Sequence, residues 1–414
     1  MQIFFDILAQ TLRTLWAHRL RTFLTMFGIA WGVGSLLLLV GLGEGFRSGS
    51  KRNMEEMGKD IMFIWPGRAP AVAGNMSSAR NYLLTYQDYV DIRNAPYVRN
   101  AAPVLSRDDL HAVSEFANAN GQILGSEPQF ADIRYLPIKQ GRWLNWQDES
   151  DRRNVIVIGD ELTRHLFPGK PALDQSILLN GLAFTVVGTI RRVGRGDDNF
   201  TNMRAYIPYQ TMAQDFPLKT EEGRGAISLV NFQPRTANES QLATAEVKKV
   251  VARNHGFDPG DDNSFATWDT IQEAKTVGAV FDAMNAFLGS VGMVTLGLGA
   301  IGVINIMLVS VSERTSEIGL RKALGATNRS ILFQFFLEGT LITMVSGFVG
   351  IAGASLLMWS TSGFRLPNGF DPPKLIPATA ALAVASLALA GIAAGIYPAR
   401  RAASLTPVEA LRKE

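Results

Sequence analysis

Four long stretches without a charged side chain constrain this chain more than any other feature. They cover residues 22–43, 283–312, 339–364 and 375–399. A helix of about 20 residues crosses a hydrocarbon core roughly 30 Å thick, so each stretch is long enough to span a bilayer. Four such stretches in one chain argue against buried helices of a soluble core. We predict an α-helical membrane protein with transmembrane helices at residues 22–43, 283–312, 330–364 and 375–399.

The distribution of lysine and arginine predicts the orientation. Basic residues precede the first span, fill the segment between the second and third spans, and follow the fourth span in the tail at 400–414. The short connection between the third and fourth spans holds only Arg365 and Lys374. By the positive-inside rule, both termini are expected in the cytoplasm and residues 44–282 outside. Residues 1–21 resemble an amphipathic helix that either lies along the membrane lipid or packs against other spans.

Composition excludes several classes of protein. A net charge of +3, without a basic run that carries interleaved aromatics, gives no sign of nucleic-acid binding. The absence of cysteine excludes disulfides and thiolate metal sites. The four histidines are isolated, and no phosphate-binding G-x-x-x-x-G-K-[ST] motif or G-x-S-x-G nucleophile turn occurs. We therefore predict no enzyme site, no metal and no cofactor in this chain.

Residues 44–282 predict a mixed α/β domain. Thr85 followed by Asp88 is typical of a capping box that begins a helix. Apolar runs at residues 154–158, 176–179 and 184–190 predict strands, with a turn at Asn180-Gly181. A helix is predicted at residues 239–254, and its inward side chains are expected to be Leu242, Val247, Val250 and Val251.

The segment at residues 313–329, between the second and third spans, is short and rich in both signs of charge. As a helix it would place Glu317 one turn from Glu313 and from Arg321, while Ile318, Leu320 and Leu324 supply apolar anchors. Such a helix suits docking into a groove on a partner protein. On composition alone, a solvated connector explains the segment equally well.

This segment resembles the loop between the second and third spans of the MacB/FtsX-like permeases of ABC transporters, the mechanotransmission group. The tail Tyr397-Pro398-Ala399-Arg400-Arg401 with Thr406-Pro407-Val408-Glu409-Ala410 is similar to the C-terminal signature of that family. In the external part, Leu84-Thr85 with Asp88, Gly141-Arg142-Trp143 and Val186-Val187-Gly188 resemble its periplasmic landmarks. The resemblance covers nearly the whole chain.

The resemblance implies a Porter-like part at residues 59–124 and 226–268, with a Sabre-like part inserted between them. It implies a bacterial inner-membrane protein that forms a homodimer, or pairs with a paralogous permease, and binds separate ABC ATPase subunits, which hold the ATP and magnesium. The residues expected to couple to those subunits are Glu313, Arg314, Glu317, Ile318, Arg321 and Lys322.

Export through a periplasmic adaptor and an outer-membrane channel is the first functional expectation. Lipoprotein extraction, or mechanical regulation of a cell-wall hydrolase or sensor, are the alternatives.

Overall fold

The computed structural model describes residues 19–70, 79–194, 200–219, 225–364, 366–367, 369–404 and 406. Most of the predicted amphipathic helix at residues 1–21, and most of the tail at 400–414, lie outside these described residues.

Along the chain, the described elements form a helical region at each end and a strand-rich region between them. The helices are α1 Arg19–Met57, α2 Tyr86–Arg93, α3 Phe130–Ile133, α4 Trp146–Ser150, α5 Asp160–Leu166, α6 Tyr209–Asp215, α7 Ser240–His255, α8 Thr270–Glu313, α9 Thr315–Ala323, α10 Asn328–Thr361 and α11 Pro377–Ser404. The strands are β1 Met62–Pro66, β2 Arg68–Pro70, β3 Ala79–Asn81, β4 Leu84–Thr85, β5 Val98–Arg107, β6 His111–Val113, β7 Asn118–Asn120, β8 Gln122–Ser126, β9 Ile138–Gly141, β10 Val155–Ile158, β11 Ser176–Leu179, β12 Leu182–Ile190, β13 Arg204–Pro208, β14 Ala226–Ile227, β15 Leu229–Pro234 and β16 Phe265–Asp269.

The chain divides into two compact units. The helical unit holds the residues up to Ser48, Gly278–Leu366 and the segment from Phe370 onward. The α/β domain holds Gly49–Val277 and Pro367–Gly369. Helices α1 and α8 each contribute residues to both units because each is longer than a bilayer is thick.

The helical unit contains four helices long and apolar enough to cross a membrane, which confirms the predicted number of spans. They are α1, α8, α10 and α11, and their buried side chains form one core.

Small residues allow these helices to approach closely. A Cβ on Gly391 would lie 2.7 Å from the Thr343 hydroxyl, and one on Gly350 would lie 2.4 Å from the Ala30 carbonyl oxygen. Larger side chains are therefore excluded at both positions. Gly28 of α1, in contrast, has open space around it among the described residues.

The α/β domain is built on one 12-stranded sheet. At one end, β16, β1, β15 and β5 lie side by side as antiparallel neighbours. Helix α2 connects β1 to β5, and α7 connects β15 to β16. This is the split β-α-β arrangement of ferredoxin-like folds. Its four strands and two helices lie between residues 62 and 107 and between 229 and 269, whereas residues 108–124, which the resemblance also assigns to the Porter-like part, lie elsewhere in the sheet.

The rest of the sheet continues from the ferredoxin-like end without interruption. Strand β8 pairs antiparallel with β5 and parallel with β13, and the order then runs β13, β10, β12, β11, β6 and β7. The mixed α/β character predicted for residues 44–282 is confirmed.

Both faces of the sheet are covered by apolar side chains. Successive residues of a strand point to opposite faces, so in β1 Met62 and Ile64 join the core beneath α2 and α7, while Phe63 and Trp65 face the other way. The second core gathers around Phe63 and Phe130, the latter on α3.

The predicted capping box at the start of α2 is confirmed. The Asp88 amide donates to the Thr85 hydroxyl at 3.2 Å, and the Thr85 amide donates to an Asp88 carboxylate oxygen at 2.7 Å. The turn at Asn180-Gly181 is also present, with φ of 46° and 91°. The prediction for α7 was wrong at Leu242, which is 51% exposed, because the buried stripe runs through Ala243, Val247 and Val251.

Candidate functional site

Helix α9 begins at a break in the long helix that precedes it. Arg314 leaves helical geometry between α8 and α9, while its amide still donates to the Ser310 carbonyl at 3.2 Å. The Thr315 hydroxyl donates to the carbonyls of Val311 and Ser312 at 3.1 and 2.9 Å. These carbonyls belong to the last turn of α8, where helix ends leave acceptors without an intrahelical donor.

The other end of α9 closes in a Schellman motif. Gly325 has a φ of +97°, a left-handed conformation that glycine adopts without a steric penalty. Its amide donates to the Lys322 carbonyl, and the Ala326 amide donates to the Arg321 carbonyl, both at 3.0 Å. Thr327 then caps α10 by accepting from the Ser330 amide at 3.3 Å. The sequence Leu-Gly-Ala-Thr therefore ends one helix and begins the next.

Three basic side chains attach this segment to the neighbouring helices. An Arg314 guanidinium nitrogen lies 3.5 Å from a Glu338 carboxylate oxygen on α10, an ion pair without hydrogen-bond geometry. Arg321 donates to Gln334, also on α10, at 2.8 Å. Lys322 donates to the Ala403 carbonyl near the end of α11, at 2.5 Å. Together these contacts hold α9 against both α10 and α11.

One side of α9 is apolar and buried. Ile318 is 3% exposed and belongs to the core of the helical unit, together with Val311, Ile331 and Phe335. This packing adds hydrophobic burial to the three polar attachments.

The opposite side of α9 is exposed and forms a continuous face. Its residues follow the spacing i, i+1, i+4, i+7 and i+8 that places side chains on one side of a helix. We call it the outer face of α9, and it consists of Ser316, Glu317, Leu320, Ala323 and Leu324. Leu320 is 56% exposed and Leu324 81% exposed. Exposed leucines clustered on a polar helix are typical of a protein interaction site.

The six residues predicted to couple to a partner thus fall into two groups. Glu313 and Glu317 are exposed, while Arg314, Arg321 and Lys322 are half-buried and attached within the chain, and Ile318 is buried. Their contact with a partner remains a prediction. Of the three apolar anchors predicted for docking on a partner, Leu320 and Leu324 are exposed, whereas Ile318 is buried within the helical unit.

Sequence reasoning missed Glu338. It lies within the span predicted at 330–364, directly before the charge-free stretch at 339–364, yet the sequence analysis assigns it no partner. In the structure it lies inside α10 and is 4% exposed. A carboxylate within a spanning helix is costly unless it is paired. The position of Glu338 inside the predicted span 330–364 was itself a signal, because a carboxylate there calls for a basic partner such as Arg314.

Four long apolar helices, with a mixed α/β domain inserted after the first, define an integral membrane protein. Comparison with known proteins identifies its family. The family model of the MacB-like periplasmic core domain matches residues 22–250, and that of the FtsX-like permease C-terminal region matches residues 289–407. The chain belongs to the MacB/FtsX-like family of ABC transporter permeases.

Two kinds of curated relative match this chain. It is 31% identical over 412 residues to the macrolide export ATP-binding/permease protein MacB 1/2 of Paracoccus denitrificans. The match covers 99% of this chain and 58% of that relative. It is 29% identical over 402 residues to the uncharacterized ABC transporter permease YknZ of Bacillus subtilis, covering 96% of each chain. The chain therefore spans nearly all of a permease relative and little more than half of an ATP-binding/permease relative.

One solved structure similar to the α/β domain is the periplasmic region of MacB from Actinobacillus actinomycetemcomitans. It covers 55% of this chain at 19% identity, with a TM-score of 0.43.

Proposed function

We propose that this chain is the membrane subunit of an ABC transporter whose ATP and magnesium are bound by a separate ATPase subunit. The observation that carries the proposal is the outer face of α9, where Glu317, Leu320 and Leu324 are exposed at the end of the second span. An amphipathic helix of this kind fits a hydrophobic groove on a partner.

The attachments of α9 support a mechanical role. Because Arg314 and Arg321 are bound to α10 and Lys322 to α11, a displacement of α9 would pull on both helices. Each of these is a spanning candidate. In this proposal the spans transmit motion to the α/β domain, which lies in the periplasm, while both termini are cytoplasmic.

Export is the task we favour. The relative from Paracoccus denitrificans is named as a macrolide export protein. By analogy, this chain would drive a substrate from the periplasm through an adaptor and an outer-membrane channel, as a dimer. Lipoprotein extraction, or mechanical regulation of a cell-wall hydrolase or sensor, would use the same coupling step with other partners.

A co-purification experiment tests the proposal. The tagged chain is extracted gently from native membranes, and the proteins that accompany it are identified by mass spectrometry. An ABC ATPase is expected, with an adaptor or channel protein beside it if the task is export. Absence of any ATPase, even after crosslinking, would remove the energy source from the proposal.

The Glu317→Lys variant sharpens this experiment. Reversing the charge of an exposed side chain is expected to leave the fold intact and to reduce recovery of the ATPase. Glu115→Lys is the matched control, because Glu115 is an exposed glutamate on the α/β domain. Equal recovery of the ATPase with both variants would contradict the assignment of α9 as the coupling element.

A further inference from the structure

A cavity of about 390 Å³ lies in the α/β domain on the sheet face opposite α2 and α7. The side chains at its base come from residues that are paired across adjacent strands. Phe63 of β1 is paired with Trp268 of β16 on one side and with Asn231 of β15 on the other. Leu124 of β8 lies opposite Ser106 of β5 at the other side of the base. The volume is in the range of sites that hold small organic ligands.

The walls of the cavity combine aromatic rings with aliphatic side chains. The rings of Phe63 and Trp65 stack with their centroids 5.4 Å apart, and the ring of Trp268 stacks on Phe63 at 5.3 Å. Val104 and Leu229 complete the apolar lining. Such a surface favours a flat or extended apolar body.

Arg134 brings a positive charge into this apolar surface. It follows α3, is 8% exposed and lies over the Phe63 ring at 5.8 Å from the centroid. Its Nε is buried and has no hydrogen-bond partner, and no carboxylate of the described residues forms an ion pair with it. Burial lowers the pKa of Arg134 to about 10, and the charge of Arg204 also acts to lower it. The side chain is therefore still charged at neutral pH.

A second polar group in the cavity is also unsatisfied. Asn231 is 2% exposed, and its Oδ1 has no hydrogen-bond donor. Arg204, another lining residue, donates to Gln122 and lies 5.5 Å from the Phe200 ring centroid. Two guanidinium groups thus line one cavity. Buried polar groups are nearly always paired, so Arg134 Nε and Asn231 Oδ1 offer a donor and an acceptor to a molecule bound in this cavity.

We propose that this cavity binds a small amphiphilic anion, with an aromatic or aliphatic body against Phe63, Trp65 and Trp268 and an anionic group on Arg134. A carboxylate would accept from Arg134 Nε, and a hydroxyl or amine on the ligand would donate to Asn231 Oδ1. The inference concerns the α/β domain alone, so it does not depend on the proposed ATPase coupling.

Equilibrium dialysis of the full chain in lipid nanodiscs tests the inference without any ATPase. The probe is hydroxynaphthoate, its neutral counterpart is naphthol, and empty nanodiscs give the background. The Arg134→Met variant keeps much of the apolar side chain and removes the charge. It is expected to bind hydroxynaphthoate roughly tenfold more weakly and naphthol equally well, because only the charge-assisted bonds are lost. Arg99→Met, at an exposed arginine of the same domain, is expected to bind both as the wild type does.

Thermal unfolding gives a second readout that separates a ligand site from a structural role. Without ligand, Arg134→Met is expected to melt at or above the wild-type temperature, because it removes a buried charge that has no counter-ion. Hydroxynaphthoate is expected to raise the melting temperature of the wild type only. The inference is overturned if the wild type does not bind hydroxynaphthoate, if Arg99→Met loses it equally, or if Arg134→Met melts lower and binds unchanged.

Discussion

The Arg314 guanidinium lies 3.5 Å from the Glu338 carboxylate, so the residue that separates α8 from α9 is paired with the interior of α10. Their side chains are 17% and 5% exposed. The pair brings together the end of one spanning candidate and the first half of the next. It is the one acidic contact that the structure describes for Arg314.

Removing one member of the Arg314–Glu338 ion pair is expected to destabilise the fold. Glu338→Ala leaves the Arg314 charge without a counter-ion in a mostly buried position, at a cost of about 3 kcal/mol. The double variant Arg314→Met with Glu338→Met removes both charges and is expected to recover most of that loss. Thermal unfolding in detergent, followed by tryptophan fluorescence, measures both variants. Glu317→Gln, at an exposed glutamate, serves as the control. A double variant that melts as low as Glu338→Ala would show that the pair itself is unimportant.

Gly325→Ala is expected to destabilise the turn between α9 and α10. Open space surrounds the position, so the cost comes only from the φ of +97°, and amounts to about 1 kcal/mol. Gly278→Ala is the matched control, since Gly278 lies inside α8 with open space around it and has an ordinary φ. That control is expected to be neutral or slightly stabilising. Identical melting temperatures for the two variants would rule out a strained position at Gly325.

The acid stability of the chain is expected to depend on Asp88. Although burial raises its pKa, hydrogen bonds from His255, Thr85 and Asn254 hold the pKa of Asp88 below the ordinary value of 3.8. Because the folded pKa is depressed, the carboxylate stabilises the fold at pH values above 3.8, and this contribution is lost as the pH falls through the folded pKa. Asp88→Asn is therefore expected to lower the melting temperature at pH 7 and to flatten its decline in acid.

Melting temperatures measured from pH 7 to pH 3 check this expectation. Asp132→Asn, at an exposed aspartate on α3, is the control and is expected to follow the wild-type curve. A decline in acid that is equally steep with Asp88→Asn would place the acid-sensitive group elsewhere.

The exposed leucines of α9 are expected to matter for partner binding and not for folding. Leu320→Asn and Leu324→Asn change side chains that are 56% and 81% exposed, so the melting temperature is expected to shift little. Recovery of the ATPase with the tagged chain is expected to fall markedly, because the apolar part of the docking face is removed. Leu242→Asn, at an exposed leucine of α7, is expected to change neither quantity. Normal ATPase recovery with both α9 variants would contradict docking through this face.

Much of this architecture is predictable because it depends on local patterns. Charge-free length locates the four spanning candidates, and the Thr85–Asp88 spacing is sufficient to place the start of α2. The Leu242 error shows the limit of such patterns. A helical stripe centred on Ala243, Val247 and Val251 leaves the neighbouring leucine outside, and hydrophobicity alone does not distinguish the two.

The features that could not be predicted from the sequence depend on contacts between residues distant in sequence. The pairing of Arg314 with Glu338, and the parallel pairing of β8 with β13, join residues that no periodic pattern relates. The cavity at Arg134 is of the same kind, because its lining comes from six strands, helices α1 and α3, and the segments around Arg134 and Phe200. Its one local signal is β1, where apolar residues occupy both faces and therefore indicate cover on both sides.

The uninterrupted sheet has a mechanical consequence for the α/β domain. Residues 104–107 of β5 pair with residues 123–126 of β8, and every residue of β8 pairs with one of β13, so the ferredoxin-like part and the rest of the sheet share backbone hydrogen bonds. Bending between them would break several of these bonds at once. The sheet from β16 to β7 is therefore expected to move as one rigid body. A small rotation applied at β16 would then displace β7, at the other end, by a larger distance.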